Sequence, residues 1–416
     1  MKLLYPVGGA LALLASTASV AAETPTLEEM WQLVQKQQAQ IEALQSELKS
    51  AREQVLLTEQ NVQMADQKIA ASEQRLDQTD ASLQDLVSAV PESPAWVEDT
   101  SFGGYGELHY NGGDTDKIDL HRFVLFFGHK FSDRIRFNSE LEIEHALVGD
   151  GKPGEVELEQ AYVEFDLNDR LRAKGGLFLV PVGMLNEYHE PPVFYGVERN
   201  PIESRIIPTT WWEAGGSLSG QFAQGLDWDF AVHSGLKASA NSQYTVRSGR
   251  QKVAEAVAKD AAFTARIRYS AIPGLQLSAS FQHQQDITQS ADPTAGSANL
   301  FETHAVWNTG GFGLKALYAR WQLQGSGPES LGADVQEGYY LEPSYRLSPT
   351  LGVFARYNVW DNLAGDSIDS EWRQTDIGLN YWPHPDVVLK ADYQFQDGPG
   401  NNDGDDRINL GIGYQF

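Results

Sequence analysis

Arginines spaced two residues apart recur along this chain. Arg134 and Arg136, then Arg170, Arg172 and Lys174, then Arg266 and Arg268 each occupy alternate positions. On extended backbone the members of each set point to the same side. Guanidinium groups in such a row hold carboxylates and phosphates through paired N–H donors, and a confined passage lined by them can pass such anions. Arg356 and Lys390 are further candidates. The same polar faces also carry Asn138, Glu140 and Glu142 beside the first pair, and Asp392 beside Lys390. The expected surface is therefore mixed in sign, and pairing of arginine with a neighbouring carboxylate is the competing use of these charges.

Other chemistry is excluded residue by residue. The chain has no cysteine, hence no disulfide framework, thiolate metal site or cysteine nucleophile. His189-Glu190 lacks the second histidine of a zinc-protease helix and is followed by two prolines. His233 and Ser234 are adjacent, so on a strand they face opposite ways and cannot act together. The acidic runs at 114–116 and 397–406 lack a complete calcium-loop pattern. Neither a metal nor a cofactor is expected, and no covalent catalysis. A formal charge of −26 argues against nucleic acid as a partner.

The elements that must position these side chains are strands. In 134–145, Ile135, Phe137, Leu141 and Ile143 oppose Arg134, Arg136, Asn138, Glu140 and Glu142. In 261–270, Phe263, Ala265, Ile267 and Tyr269 oppose Thr264, Arg266 and Arg268. In 275–284 and 387–396 the same alternation recurs. A soluble sandwich has the same local pattern. Repetition of a polar face in nearly every segment of about ten residues, with Tyr and Trp near strand ends, favours a barrel wall with lipid outside and water within. The terminal run Ile408, Leu410, Ile412, Tyr414 and Phe416 is apolar on one face and reads as the closing strand.

Sixteen strand candidates lie between 101 and 416. Short turns fall at Ser132-Asp133, Asn168-Asp169, Gln224-Gly225, Pro273-Gly274, Thr309-Gly310, Ser348-Pro349 and His384-Pro385, and alternate with longer connections. The connection at 184–210 is the longest. Its prolines limit its freedom, and with Phe194, Tyr195, Arg199 and Arg205 it is expected to fold inward and narrow the passage.

Upstream, the texture differs. Lys2, the apolar run from Leu3 to Leu14 and the small residues Val20-Ala21-Ala22 predict a cleaved secretory leader over 1–22. Residues 23–90 carry a seven-residue repeat of Leu27, Val34, Ile41, Leu48, Val55, Val62, Ile69, Leu76, Leu83 and Val90. That repeat is one seam of a coiled coil. Its companion positions, among them Gln37, Thr58 and Ser72, are often polar, so the seam is well registered but weakly apolar. Residues 91–100 form a linker that opens on Pro91 and Pro94.

The chain resembles the phosphate-selective porin (O/P-type) family, in the branch with an N-terminal coiled coil. The resemblance rests on Tyr105-Gly106-Glu107-Leu108-His109-Tyr110, His121-Arg122-Phe123, Arg134-Ile135-Arg136-Phe137 with Glu140-Leu141-Glu142, and Glu159-Gln160-Ala161-Tyr162-Val163-Glu164-Phe165. It continues from Gly176-Leu177-Phe178 through His189-Glu190-Pro191-Pro192 to Pro208-Thr209-Thr210-Trp211-Trp212-Glu213. The resemblance implies a sixteen-stranded, usually trimeric outer-membrane channel. Phosphate specificity does not transfer with it, because acidic residues outnumber basic ones within 101–416 as well.

The resulting expectation is an all-β transmembrane barrel of about sixteen antiparallel strands, preceded by an α-helical coiled coil in the periplasm and set in outer-membrane lipid as a homotrimer. It would pass small hydrophilic, charged solutes, anionic or phosphate-like ones included. Two rivals are a structural anchor whose coiled coil spaces the envelope or touches cell wall, and an outer-membrane phospholipase-type enzyme. Deleting 23–90 should leave a barrel that inserts but whose assembly dissociates at lower temperature on a heated gel. Equal heat resistance would mean that the barrel wall alone holds the copies together.

Overall fold

The computed structural model describes residues 27–89 and 95–416. The expected leader, Pro91 and Pro94 lie outside the described residues. Helix α1, Leu27–Ala89, is 63 residues long, or about 95 Å at 1.5 Å per residue. Its seam residues from Leu27 to Leu76 are open to solvent, with Ile41 47% and Ile69 56% exposed. This helix is one compact unit and residues 93–416 are another.

The second unit is a closed antiparallel barrel of sixteen long strands. In chain order they are β1 Thr100–Gly112, β2 Lys117–Ser132, β3 Ile135–Glu144, β4 Val156–Asn168, β5 Leu171–Leu179, β6 Trp212–Ala223, β7 Leu226–His233 and β8 Ala262–Tyr269. They continue as β9 Leu275–Gln284, β10 Ala298–Thr309, β11 Phe312–Leu323, β12 Val335–Ser348, β13 Leu351–Asp361, β14 Trp372–His384, β15 Val387–Gly398 and β16 Arg407–Gln415. A two-residue stub, Asn402–Asp403, pairs with the end of β15. Each strand bonds its sequence neighbours, and β1 closes the ring on β16 from Tyr105↔Gln415 to Gly112↔Ile408. Phe416 adds two backbone bonds to Gly104. Closure leaves no unpaired sheet edge, which a spanning sheet in hydrocarbon requires.

The alternation in the sequence sets the register. Ile267 is 53% exposed and its neighbour Arg266 only 5%. The pairs Ile267↔Trp228 and Ile267↔Ala279 carry that outward face across β7, β8 and β9. Phe281, Leu389, Tyr393, Phe395, Leu410 and Ile412 continue the apolar belt. Exposed Phe131, Phe222, Trp307, Tyr345 and Tyr381 ring the short-turn end, where aromatic side chains suit a membrane interface. The short turns and the longer connections fall where the sequence spacing puts them.

One expectation is corrected. The interior is not polar throughout. Leu300, Leu317, Ala319, Trp321, Tyr340 and Trp360 on β10–β13 are buried although they point inward, and they form a core with Val180, Ile202, Ile206, Ile207, Trp211 and Val246 from the loops. This patch of the inner face is apolar, so water cannot wet it cheaply and loop side chains cover it.

Folding loops into a barrel buries their backbone, and specific side chains satisfy it. Asn186 donates to the carbonyls of Val180 and Trp211 at 2.7 and 2.9 Å and accepts from Trp211 N at 2.7 Å. Glu203, wholly buried, accepts from Met184 N, Leu185 N, Asn200 Nδ2 and Tyr340 Oη. Gln336 accepts from Val246 N and donates to Tyr244 O. Trp321 Nε1 donates to Ile206 O at 2.9 Å. Trp321→Ala removes a large inward side chain and that bond, and should cost about 3–5 kcal/mol. The expected outcome is a lower unfolding midpoint and faster proteolysis within 180–211, read by limited digestion of the assembled protein.

Candidate functional site

The lumen left beside this core is bounded by the connection 180–211, which enters from the long-loop end and is tied to the wall along its length. Trp382 Nε1 donates to Pro192 O at 3.1 Å, Asn380 Nδ2 to Phe194 O at 2.9 Å, and Val197 N to Asp392 at 2.7 Å. Arg356 donates to Tyr195 O and Glu198 O. The segment is thus folded inward, as its prolines and length suggest.

The four residues singled out on it divide into two pairs. Phe194 and Tyr195 are anchors. The Phe194 ring receives Lys390 Nζ at 3.4 Å, and Tyr195 packs on Phe354 and Trp382. Arg199 and Arg205 stay at the open side: Arg199 donates to Thr210 Oγ1 at 2.9 Å, and Arg205 lies over the Trp360 ring at 5.5 Å.

The strand candidates divide likewise. Arg134 and Arg170 fall in the short turns just before β3 and β5 rather than on those strands; the others point inward, but Arg356, Lys390 and Asp392 are covered by the loop rather than facing open lumen. Arg356 also bonds Asp376 and Glu342. Near the short turns, Arg134, Arg170, Arg172 and Arg268 line a cavity of about 480 Å³ together with Asp133, Asp166, Asp169, Asp227 and Asp229. Arg136 pairs with Glu164 at 2.6 Å and Asp166 at 2.7 Å. Arg266 pairs with Asp229 at 2.8 Å and with Glu187 of the inward loop. Lys174 sits over the rings of Tyr162 and Phe178. Asn138 lies on the same inward face of β3, opposite Tyr162. Of these basic side chains, Arg136 and Arg266 are neutralised in place by carboxylates.

A second cavity of about 190 Å³ lies nearer the long-loop end. One wall is mainly acidic: Glu107 from β1, Glu142 and Glu144 from β3, and Glu157 and Glu159 from β4, with Glu198 of the loop; Arg122, paired with Glu107, and His109 and His121 lie among them. The opposite wall carries Arg199, Arg247 and Arg250 with Thr209 and Thr210. Arg247 donates to Ser204 O and Thr209 O at 2.6 and 2.8 Å, and Arg250 to Thr210 O at 2.6 Å. Carbonyl oxygens hold these guanidiniums in place without cancelling their charge. Enclosure in the mouth, with Arg250 and Arg205 nearby, draws Arg247 down to about 10, so it stays charged at neutral pH. Burial raises the Glu198 carboxyl, but the bonded His109 outweighs this and holds it at about 2. Lys252, from the connection between β7 and β8, reaches across to Glu155 at 2.5 Å and to Glu157.

Arg247 and Arg250 were not singled out in the sequence, where they are isolated charges in an irregular stretch. Their only signal was arginine three residues apart in a long connection. Glu142 was found, and Glu157 and Glu159 share its alternation. His189 was dismissed as a protease motif, yet it is buried between Glu140 and Glu159, 3.6 Å from each. Burial would lower its imidazole, but the two carboxylates raise it to about 10. His233 and Ser234 do not meet: His233 Nε2 bonds Thr264 Oγ1 and Ser234 donates to Glu213.

Comparison with known proteins bears on this geometry. The profile of a family described as Gram-negative porin matches residues 219–401. An uncharacterized protein of Aquifex aeolicus (strain VF5) is 32% identical over 348 residues, which cover 73% of this chain and 77% of that protein. The fold is similar to the anion-selective porin from Comamonas acidovorans, with a TM-score of 0.55 at 14% identity, covering 76% of this chain and 99% of that one. It is similar also to the trimer form of OmpT, an outer membrane protein of Vibrio cholerae, with a TM-score of 0.50 at 10% identity and coverage of 76% and 99%. At such identities the likeness is one of fold. Arg266→Gln would leave Glu187 and Asp229 facing each other without a cation, a loss of about 3–5 kcal/mol. The expected result is a lowered unfolding midpoint that a further Glu187→Gln change partly restores.

Proposed function

The chain belongs to the Gram-negative porin family, and from its lumen we propose that it is a passive outer-membrane diffusion channel for small, charged, hydrophilic solutes. The observation that carries this reading is the pair of facing walls at the cavity near the long-loop end, with carboxylates of β1, β3 and β4 on one side and Arg199, Arg247 and Arg250 on the other. Opposed charges across a narrow wet gap orient a dipolar or charged solute and replace part of its hydration. The arginines present forks for carboxylate or phosphate groups, and phosphate-like anions are one class such a wall would take. Beyond it, the larger short-turn cavity interleaves arginine with aspartate and offers no single-signed trap.

A channel rather than an enzyme fits the separation of His233 from Ser234. The exposed seam of α1 fits association of copies through that helix, and three copies match the trimeric neighbour. The chain enters β1 at the short-turn end, where Thr100 pairs with His129. With the short turns on the periplasmic side, α1 belongs to the periplasm.

Reversal potentials across a KCl gradient test the central reading. Arg247→Gln with Arg250→Gln should shift the potential toward cation preference, and Glu142→Gln with Glu157→Gln should shift it the other way, both most clearly at low salt where screening is weak. If both double variants keep the wild-type potential, these walls do not border the conducting path.

A further inference from the structure

Among the described residues, two groups of three bring one possible ligand atom each to within 4.8 Å of one another. The first, Glu144, Glu155 and Glu157, is only partly covered and Lys252 is already seated on it. The second is Glu140 on β3, Glu159 on β4 and His189 on the inward loop. These are 2%, 2% and 3% exposed.

The geometry of the second group is unusual for a hydrogen-bonded cluster. His189 Nε2 stands 3.6 Å from Glu140 Oε1 and 3.6 Å from Glu159 Oε2, too far for a hydrogen bond. Both ring nitrogens and Glu159 Oε2 lack any hydrogen-bond partner. A tetrahedral ion with nitrogen and oxygen ligands at about 2.0–2.2 Å separates those ligands by about 3.4 Å, close to the spacing seen. The charge balance agrees. Glu142, also buried, has an unpartnered Oε2, and the nearby Arg122 is held by Glu107 at 2.5 Å. Buried carboxylates outnumber the cations available to them, which burial does not tolerate without compensation.

We propose that Glu140, Glu159 and His189 form a buried site for a divalent transition-metal ion, Zn²⁺ or a close relative, that clips the inward loop to β3 and β4. One imidazole and two carboxylates suit such an ion, whereas Ca²⁺ and Mg²⁺ favour oxygen alone. Outer contacts orient the ligands: Gln160 Nε2 holds the other oxygen of Glu140 at 2.6 Å, and the Tyr105 ring stands edge-on to His189 with centroids 5.8 Å apart. Glu142 and Glu159 also line the cavity between the charged walls, so the ion reaches its site from the lumen. The sequence gives no hint of this group, because its members are separated in the chain and only the loop's entry into the barrel joins them. The alternative, a protonated His189 between two carboxylates, leaves two buried N–H donors unpaired where the ion leaves one.

The test uses full-length protein, assembled and detergent-solubilised, stripped with a chelator and re-equilibrated with Co²⁺. The expected result is one Co²⁺ per chain with visible absorption bands of a low-coordinate site, and displacement by Zn²⁺. His189→Gln and Glu159→Gln should each weaken binding at least about tenfold, while Glu155→Gln, in the first acidic group, should not. Variants are compared only where gel mobility before and after heating shows an intact barrel. Folded wild-type protein that takes up no stoichiometric Co²⁺ or Zn²⁺ overturns the proposal, whatever the variants do. So does binding that survives loss of His189 or depends on Glu155.

Discussion

Strands β10–β13 present apolar side chains to both sides of the wall, and the rest of the interior is arranged around that fact. Lipid can take the outer face, but water cannot take Leu300, Leu317, Ala319 and Trp321 without loss of about 1.5–3 kcal/mol for each large side chain exposed. The connection 180–211 answers this with Ile202, Ile206, Ile207 and Trp211. Its burial in turn demands partners for its backbone, which Asn186, Glu203 and Gln336 supply. With that side filled, the cavity nearer the long-loop end lies against β1–β4, where Glu107, Glu142, Glu157 and Glu159 point inward. The position of the passage and the sign of one of its walls thus follow from an apolar stripe on the opposite side of the barrel.

The two populations of arginine follow from the same geometry. An arginine on a strand has fixed neighbours on the adjacent strands, and Arg136, Arg266 and Arg356 each meet carboxylates there. In a poorly solvated wall an unpaired guanidinium is costly, so pairing is the stable state. Arginines on loops are set by carbonyl oxygens instead, which fix direction without neutralising charge. Arg247 and Arg250 are of this kind. Between the charged walls, the guanidiniums left unneutralised are therefore those of the irregular segments, while arginines such as Arg136, Arg266 and Arg356 on the strands hold the wall together.

That division explains what could be read in the sequence. Strand number, the alternation of short and long connections, and the facing of Arg266 against Ile267 all follow from a period of two, which is local. The inward entry of 180–211 was legible from its length and prolines. The apolar core was not, because Leu317, Ala319 and Trp321 on β11 look like any outward-facing set until the register of the neighbouring strands is known. The facing charged walls were half legible: Glu142 lies on a clean strand, while Arg247 and Arg250 depend on how two long loops pack. His189 shows the limit most plainly. Its sequence neighbours suggested nothing, and its partners Glu140 and Glu159 belong to strands far from it in the chain.

The buried Glu203 turn has a consequence for how the channel responds to force. Swinging the inward loop aside would expose Ile202, Ile206, Ile207 and Trp211 and their counterparts on the wall, on the order of 10 kcal/mol of lost burial. It would also take from the Glu203 carboxylate the Tyr340 hydroxyl that the wall donates to it. An electric potential of 100 mV does about 2.3 kcal/mol of work on each elementary charge carried across the membrane, and the loop's charges would travel only part of that distance. Voltage of ordinary size cannot turn this loop into a moving gate. At such potentials the loop stays part of the wall, and any solute that enters meets the same boundary.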